Sequence, residues 1–271
     1  MNLFIRSVIV GVLLLADLSA SGKEMNDLIR KMDSAEKEFN QRQSRTLVRF
    51  MSLETMFPDL QMRALAKAAG DGNIRKIEQL VKEGVSVNAR GTQGVTPLYW
   101  ARRNYKGFKR LLELGADPNV VYADGNSVMH AATELRDRRI LRAALEHGGN
   151  PNLVSGDSMR QTPIFDAMLP GVDMVDILLQ HGADINARKR FDSTPVLSAA
   201  KIGDYEMVYH LLERGADYSL KDANGSDLAS LVATDVGKIR PGTKWAKRHE
   251  KVIAWLKAKG VEIPASPPTR R

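Results

Sequence analysis

Leu111-Leu112-Glu113-Leu114-Gly115-Ala116-Asp117-Pro118-Asn119 is a phrase that the chain repeats. An earlier copy reads Leu80-Val81-Lys82-Glu83-Gly84-Val85-Ser86-Val87-Asn88. Later copies run from Ala144 to Asn152, Leu178 to Asn186 and Leu211 to Ser219. Their glycines, at 84, 115, 148, 182 and 215, lie 31, 33, 34 and 33 residues apart. A near-constant period of this size marks stacked structural units. A second phrase sits between the copies: Thr96-Pro97-Leu98-Tyr99, Ser127-Val128-Met129-His130, Thr162-Pro163-Ile164-Phe165 and Thr194-Pro195-Val196-Leu197. Alanines follow it at 101, 131–132, 167 and 199–200.

Together the two phrases resemble the ankyrin-repeat family over roughly residues 59–222. The resemblance implies an all-α ankyrin-repeat solenoid. The physics of the residues agrees. Threonine can cap a first helix, and proline fits its first position, where no donor is missed. Glycine fits the left-handed position that ends a helix. Each unit is too small to bury its own apolar face, and stacking buries it. Three units depart from the pattern. The second is short around Asn104-Tyr105-Lys106, the third has Ser127-Val128 for Thr-Pro, and the fourth carries Pro170-Gly171 in its turn.

Outward from the repeats, residues 1–22 have the layout of a secretory signal peptide: Arg6, an apolar run Val8–Ala16, then small residues Ser19–Gly22. Cleavage is expected near residues 20–22, and a buried amino-terminal helix is the bland alternative. Residues 23–57 are expected to form an amino-terminal helical cap. There Met25, Leu28, Ile29, Met32 and Phe39 share one helical side, and Pro58 ends the run. A partner-binding helix is the other reading of that segment. Residues 58–222 make five units. Residues 223–263 read as a divergent carboxy-terminal cap repeat with an insertion near 233–246, and 264–271 as a disordered tail.

Composition narrows the chemistry. The chain has 271 residues, 43% apolar and 6% aromatic, with no cysteine. Disulfides, thiolate metal sites and a lipid-modified cysteine are therefore excluded. The formal charge of +8 suits an acidic partner. A nucleic acid is not expected for an exported chain, and no stable membrane anchor is expected. His130 sits where the family's histidine braces the turns. His147 and His181 precede helix-ending glycines, where a cation suits the helix dipole. No metal, cofactor or catalytic residue is expected. Gly70-Asp71-Gly72-Asn73 reads as a turn, and the recurring aspartates read as turn residues.

The family resemblance places binding residues on loop tips and the exposed side of first helices. Carried over by position, the candidates are Arg90, Gln93, Arg103, Tyr122, Asp124, Glu134, Met159, Arg160, Arg190, Phe191 and Lys201. Met159-Arg160 and Arg188-Lys189-Arg190-Phe191 are favoured, since Arg, Met and Phe are enriched at interfaces. Trp100 is expected in the core. The chain also resembles exported bacterial ankyrin proteins that act as immunity partners of type VI secretion phospholipases of the phospholipase D kind. That resemblance implies a periplasmic, monomeric protein that binds a secreted toxic lipase. The rivals are a periplasmic helper of another enzyme such as a catalase, a membrane-surface scaffold, and an enzyme assembled from residues 24–57 and 233–250.

Overall fold

A computed structural model describes Val48 and residues 51–265, Arg136 excepted. Residues 1–43 and 44–271 form two units, and every described residue belongs to the second. The expected signal peptide, most of the amino-terminal helix and most of the tail thus lie outside the described residues.

The described chain is helical, with one isolated antiparallel bridge between Val121 and Ser127. A short helix α1 (Leu53–Met56) precedes five helical hairpins. These are α2 (Leu60–Asp71) with α3 (Ile74–Lys82), α4 (Pro97–Ala101) with α5 (Tyr105–Glu113), and α6 (Val128–Glu134) with α7 (Arg138–Glu146). They continue as α8 (Pro163–Ala167) with α9 (Val172–Gln180), and α10 (Pro195–Lys201) with α11 (Tyr205–Glu213). The pair α12 (Leu228–Ala233) and α13 (Lys244–Ala258) follows. The segment expected to be one helix through residue 57 is broken. Ser52 starts a new helix by accepting from the Thr55 amide, and Pro58 follows. Met56 and Phe57 are fully buried against the first hairpin.

The helix ends repeat as the glycines do. Gly84, Gly115, Gly148, Gly182 and Gly215 all have φ between 84° and 97°, a region an L side chain rarely adopts. After each glycine the next amide bonds back to the last turn: Ala116 to the Leu111 carbonyl at 2.9 Å, Ala183 to Leu178 at 3.0 Å, Ala216 to Leu211 at 3.0 Å. This bond satisfies a carbonyl that the helix would otherwise leave open. Gly107 has a different task. A Cβ there would stand 1.9 Å from the Ala69 carbonyl oxygen, so α5 can lie on α2 only because residue 107 has no side chain.

First-helix capping departs from expectation. Ser127 and Thr194 accept from the His130 and Leu197 amides, but Thr96 and Thr162 make no capping bond. The Thr96 and Thr162 hydroxyls are buried without a hydrogen bond. Proline at the first position already sets the backbone there, so the helix starts without them. The second helices are capped more regularly, by Asn73, Asn104, Asp137 and Asp204.

What ties unit to unit is the last residue of the repeated phrase. Asn119 donates from Nδ2 to the Gly148 carbonyl at 2.9 Å and accepts the Asn150 amide at 2.7 Å. Asn88 does the same to Gly115 and Asp117, and Asn152 to Gly182 and Asp184. Asn186 keeps the acceptor half, taking the Asp217 amide at 2.9 Å. The aspartates of the phrase act within their own turn: Asp117 and Asp184 accept from the amides two residues on, Asn119 and Asn186, at 2.8 Å.

Asn119→Ala removes both bonds across one junction. Each net bond contributes about 0.5–1.5 kcal/mol, so a loss of about 1–2 kcal/mol is expected at this solvated site. A urea titration would read it as a lower midpoint. Asn119→Asp, which keeps the acceptor but sets a carboxylate against a carbonyl, should also fall. An unmoved midpoint for the alanine variant would show that these rungs do not hold the stack.

Candidate binding surface

Between one hairpin and the next the chain makes a finger-like loop. Each finger closes on itself through a backbone bond: Tyr122 N to Asn126 O at 2.8 Å, Ser155 N to Gln161 O at 2.8 Å, Lys189 N to Ser193 O at 3.2 Å. Each also bonds to the finger before it. Ala123 N donates to Gln93 O at 2.9 Å, Gly156 N to Gly125 O at 2.8 Å, Arg190 N to Met159 O at 2.8 Å and Ala223 N to Phe191 O at 2.9 Å. At the amino-terminal end Thr92 Oγ1 donates to the Thr55 carbonyl at 2.7 Å. The tips therefore form one cross-linked ridge rather than separate loops. His130 adds a brace, with Nδ1 2.8 Å from Ser127 Oγ and Nε2 3.2 Å from the Gln161 carbonyl of the next finger. His147 and His181 turn Nδ1 to the Ala143 and Ile177 carbonyls at their helix ends.

The ridge divides the expected residues. Arg90, Arg103, Glu134, Arg160, Phe191 and Lys201 are exposed, while Gln93, Met159 and Arg190 are half-buried. Tyr122 and Asp124 must be withdrawn as contact residues, because they are only 3% and 2% exposed. Tyr122 turns inward and meets the Tyr99 ring edge-on at 5.4 Å. Burial pushes its phenol far above the ordinary range, with the Thr96 hydroxyl beside it pulling slightly the other way. Asp124 accepts the Asn126 amide inside its own turn. Arg103 lies flat over Trp100, 3.5 Å from the ring centroid. Trp100 itself is half-buried rather than fully in the core.

Lys201 has a structural task. Its ammonium is 2.6 Å from Asp222 Oδ2, and the Asp222 side chain is 1% exposed. The Lys201 ammonium is the main cause that holds the Asp222 carboxyl below the usual carboxylate range, helped by the Ser226 and Asn224 amides. Sequence spacing gave no sign of this pair, which joins the end of α10 to the next finger.

Arg160, Arg190 and Phe191 come together. With Val154, Arg188, Lys189 and Asp192 they line an open cleft of about 390 Å³ between the third and fourth fingers. The backbone here is unusual. At the matching position the other fingers hold Gly94, Gly125 and Gly225, all at positive φ. Here Arg160 has φ 48° and Asp192 φ 53°; Phe191 beside it has φ 62°, as its counterpart Gln93 has φ 58° in the first finger. An L residue in this region costs about 1–2 kcal/mol. Phe191 is nonetheless 61% exposed, so burial returns little of that cost. Such strain clusters at functional sites.

The family model for ankyrin repeats in three copies matches residues 40–122, 104–189 and 128–222. The chain belongs to the ankyrin-repeat family. Protein PhlB of Serratia liquefaciens is 36% identical over 142 residues, which are 51% of this chain and 62% of that protein. An ankyrin repeat protein of fowlpox virus is 30% identical over 64% of this chain and 55% of its own length. SH3 and multiple ankyrin repeat domains protein 2 of Homo sapiens is 26% identical over 59% of this chain and 9% of its length. The chain thus spans less than two thirds of these curated relatives. Ankyrin repeats make a protein–protein interaction module, and proteins of this family are generally non-catalytic. A yeast palmitoyltransferase also matches, over 23% of its length. Among the described residues no three His, Asp or Glu side chains gather as metal ligands, and no helix is long and apolar enough to cross a membrane.

The Lys201–Asp222 pair sets a pH test. Because Asp222 ionises more readily folded than unfolded, the pair stabilises above about pH 4 and is lost as pH falls through the folded value. Lys201→Met leaves a buried carboxylate unpaired. Discounting for the partly solvated ammonium, the variant should lose about 1–3 kcal/mol at pH 7. Denaturant titrations should show that gap closing towards pH 3. A gap independent of pH would assign the loss to packing.

Proposed function

We propose that this chain is an exported protein-binding module that docks on a secreted toxic phospholipase and blocks it. The observation that supports this most is the cross-linked fingertip ridge, which holds Arg160 and Phe191 outward at a backbone cost. A rigid surface of this kind loses little freedom on binding, so a few anchors can supply affinity. The leader-like residues 1–22 support a periplasmic location on this reading, where a toxin delivered from outside would act. The resemblance to exported ankyrin immunity proteins supplies the phospholipase D-type target. Inhibition would follow from covering the mouth of the toxin's site or its path to lipid, without any chemistry by this chain.

The test is co-expression in the bacterial periplasm with a secreted phospholipase D-type toxin. Survival should return, and the two proteins should purify together. Lysis that continues despite normal levels of both proteins would refute the reading. So would a survival effect without a complex.

A further inference from the structure

We propose that the cleft between the third and fourth fingers seats an acidic segment of a protein partner, with Arg160 as its main charge contact and Phe191 as its apolar anchor. This deepens the protein-binding reading above and rests on it. The lining residues include four cations, Arg160, Arg188, Lys189 and Arg190, and one carboxylate, Asp192.

The cations are available to different degrees. The Arg160 guanidinium makes no hydrogen bond or ion pair among the described residues, although its own amide bonds to Asp157. Arg188 uses Nη1 on the Asp192 and Lys221 carbonyls at 3.3 and 3.2 Å, which fixes its plane and leaves Nε and Nη2 unused. Lys189 stands 4.8 Å from the Phe165 ring centroid. Arg190 lies 4.7 Å from the Phe191 ring centroid and supports that exposed ring. Val154, 45% exposed, adds apolar surface at the same cleft.

The chemistry that fits is a run of carboxylates with an apolar side chain among them. Guanidinium groups match carboxylates in plane and in donor spacing. The aromatic ring beside them rewards a residue that carries carbon as well as charge. A bare anionic lipid surface would use the charge but not this juxtaposition of ring and guanidinium. The two non-glycine tips make the inference separable from folding. Restoring glycine at either tip relieves the same kind of backbone strain, yet removes opposite charges.

The test uses the full mature chain and a fluorescent peptide of glutamates and leucines, read by anisotropy. Arg160→Gly should raise the thermal midpoint by about 2–4 °C and weaken the peptide about tenfold, a change of about 1.4 kcal/mol. Asp192→Gly should raise the midpoint similarly and tighten binding about two- to threefold. Phe191→Ala should weaken it, and affinity should fall with added salt. Equal affinity for a lysine-and-leucine peptide would overturn the proposal. So would wild-type affinity in Arg160→Gly, or a preference for phosphatidylglycerol vesicles over the peptide. The phospholipase separates the two claims. If the unmodified chain captures it and Arg160→Gly captures it equally, docking lies elsewhere and the broader reading stands. If the unmodified chain fails to capture it but binds the acidic peptide through Arg160, the broader reading fails and the cleft remains.

Discussion

The first three junctions of the stack depend on one asparagine each. Its side chain reaches the next unit's loop as donor and acceptor at once, which no aliphatic side chain can do and which aspartate does by half. The bonds from Asn88, Asn119 and Asn152 fix the spacing of neighbouring loops to within a hydrogen bond's tolerance. Helix packing adds its own constraint, as where Gly107 lies against Ala69 with no room for a side chain. On the far side of each hairpin the fingers repeat the idea with main chain alone. The stack is therefore stitched along two lines, with the apolar core between them.

The period, the helix ends and the fold class were legible in the sequence for a clear reason. A positive φ leaves glycine as a visible mark, and five marks at one spacing leave little freedom. The asparagine rungs were not legible, because each partner lies about thirty residues away and the local pattern reads equally well as a turn. Threonine capping was over-read: a residue type that can cap need not do so when proline has already set the backbone. Tyr122 and Asp124 show a further limit. In a tight loop successive side chains turn opposite ways, and spacing alone does not say which way is in. Tyr122 went to the Tyr99 ring and Asp124 to its own turn. Lys201 looked like a contact residue because it is charged and lies on a first helix. Its buried partner, Asp222, could be found only in space.

The favoured pair of loops comes together in space, with Arg160, Arg190 and Phe191 lining one cleft. Phe191 leaves 61% of its surface in water, a cost for an aromatic ring. The backbone adds what composition could not: the two tips forgo glycine where other tips keep it. Surface chemistry and strain thus converge on one cleft, while the remaining candidates are scattered along the ridge.

The asparagine line also stops. Asn186 makes only its acceptor bond, and the next copy of the phrase ends in Ser219, whose hydroxyl turns back to Asp217. Beyond that point different fasteners take over: Tyr205 to Asp235 at 2.6 Å, Trp245 to the Gly203 carbonyl at 2.6 Å, and Trp255 to Glu213 at 2.8 Å. Three large aromatic side chains thus do at one end what a small amide does elsewhere. That terminus is latched rather than zipped, its buried Leu228, Val232, Val252 and Leu256 held by three separate contacts instead of a repeated one.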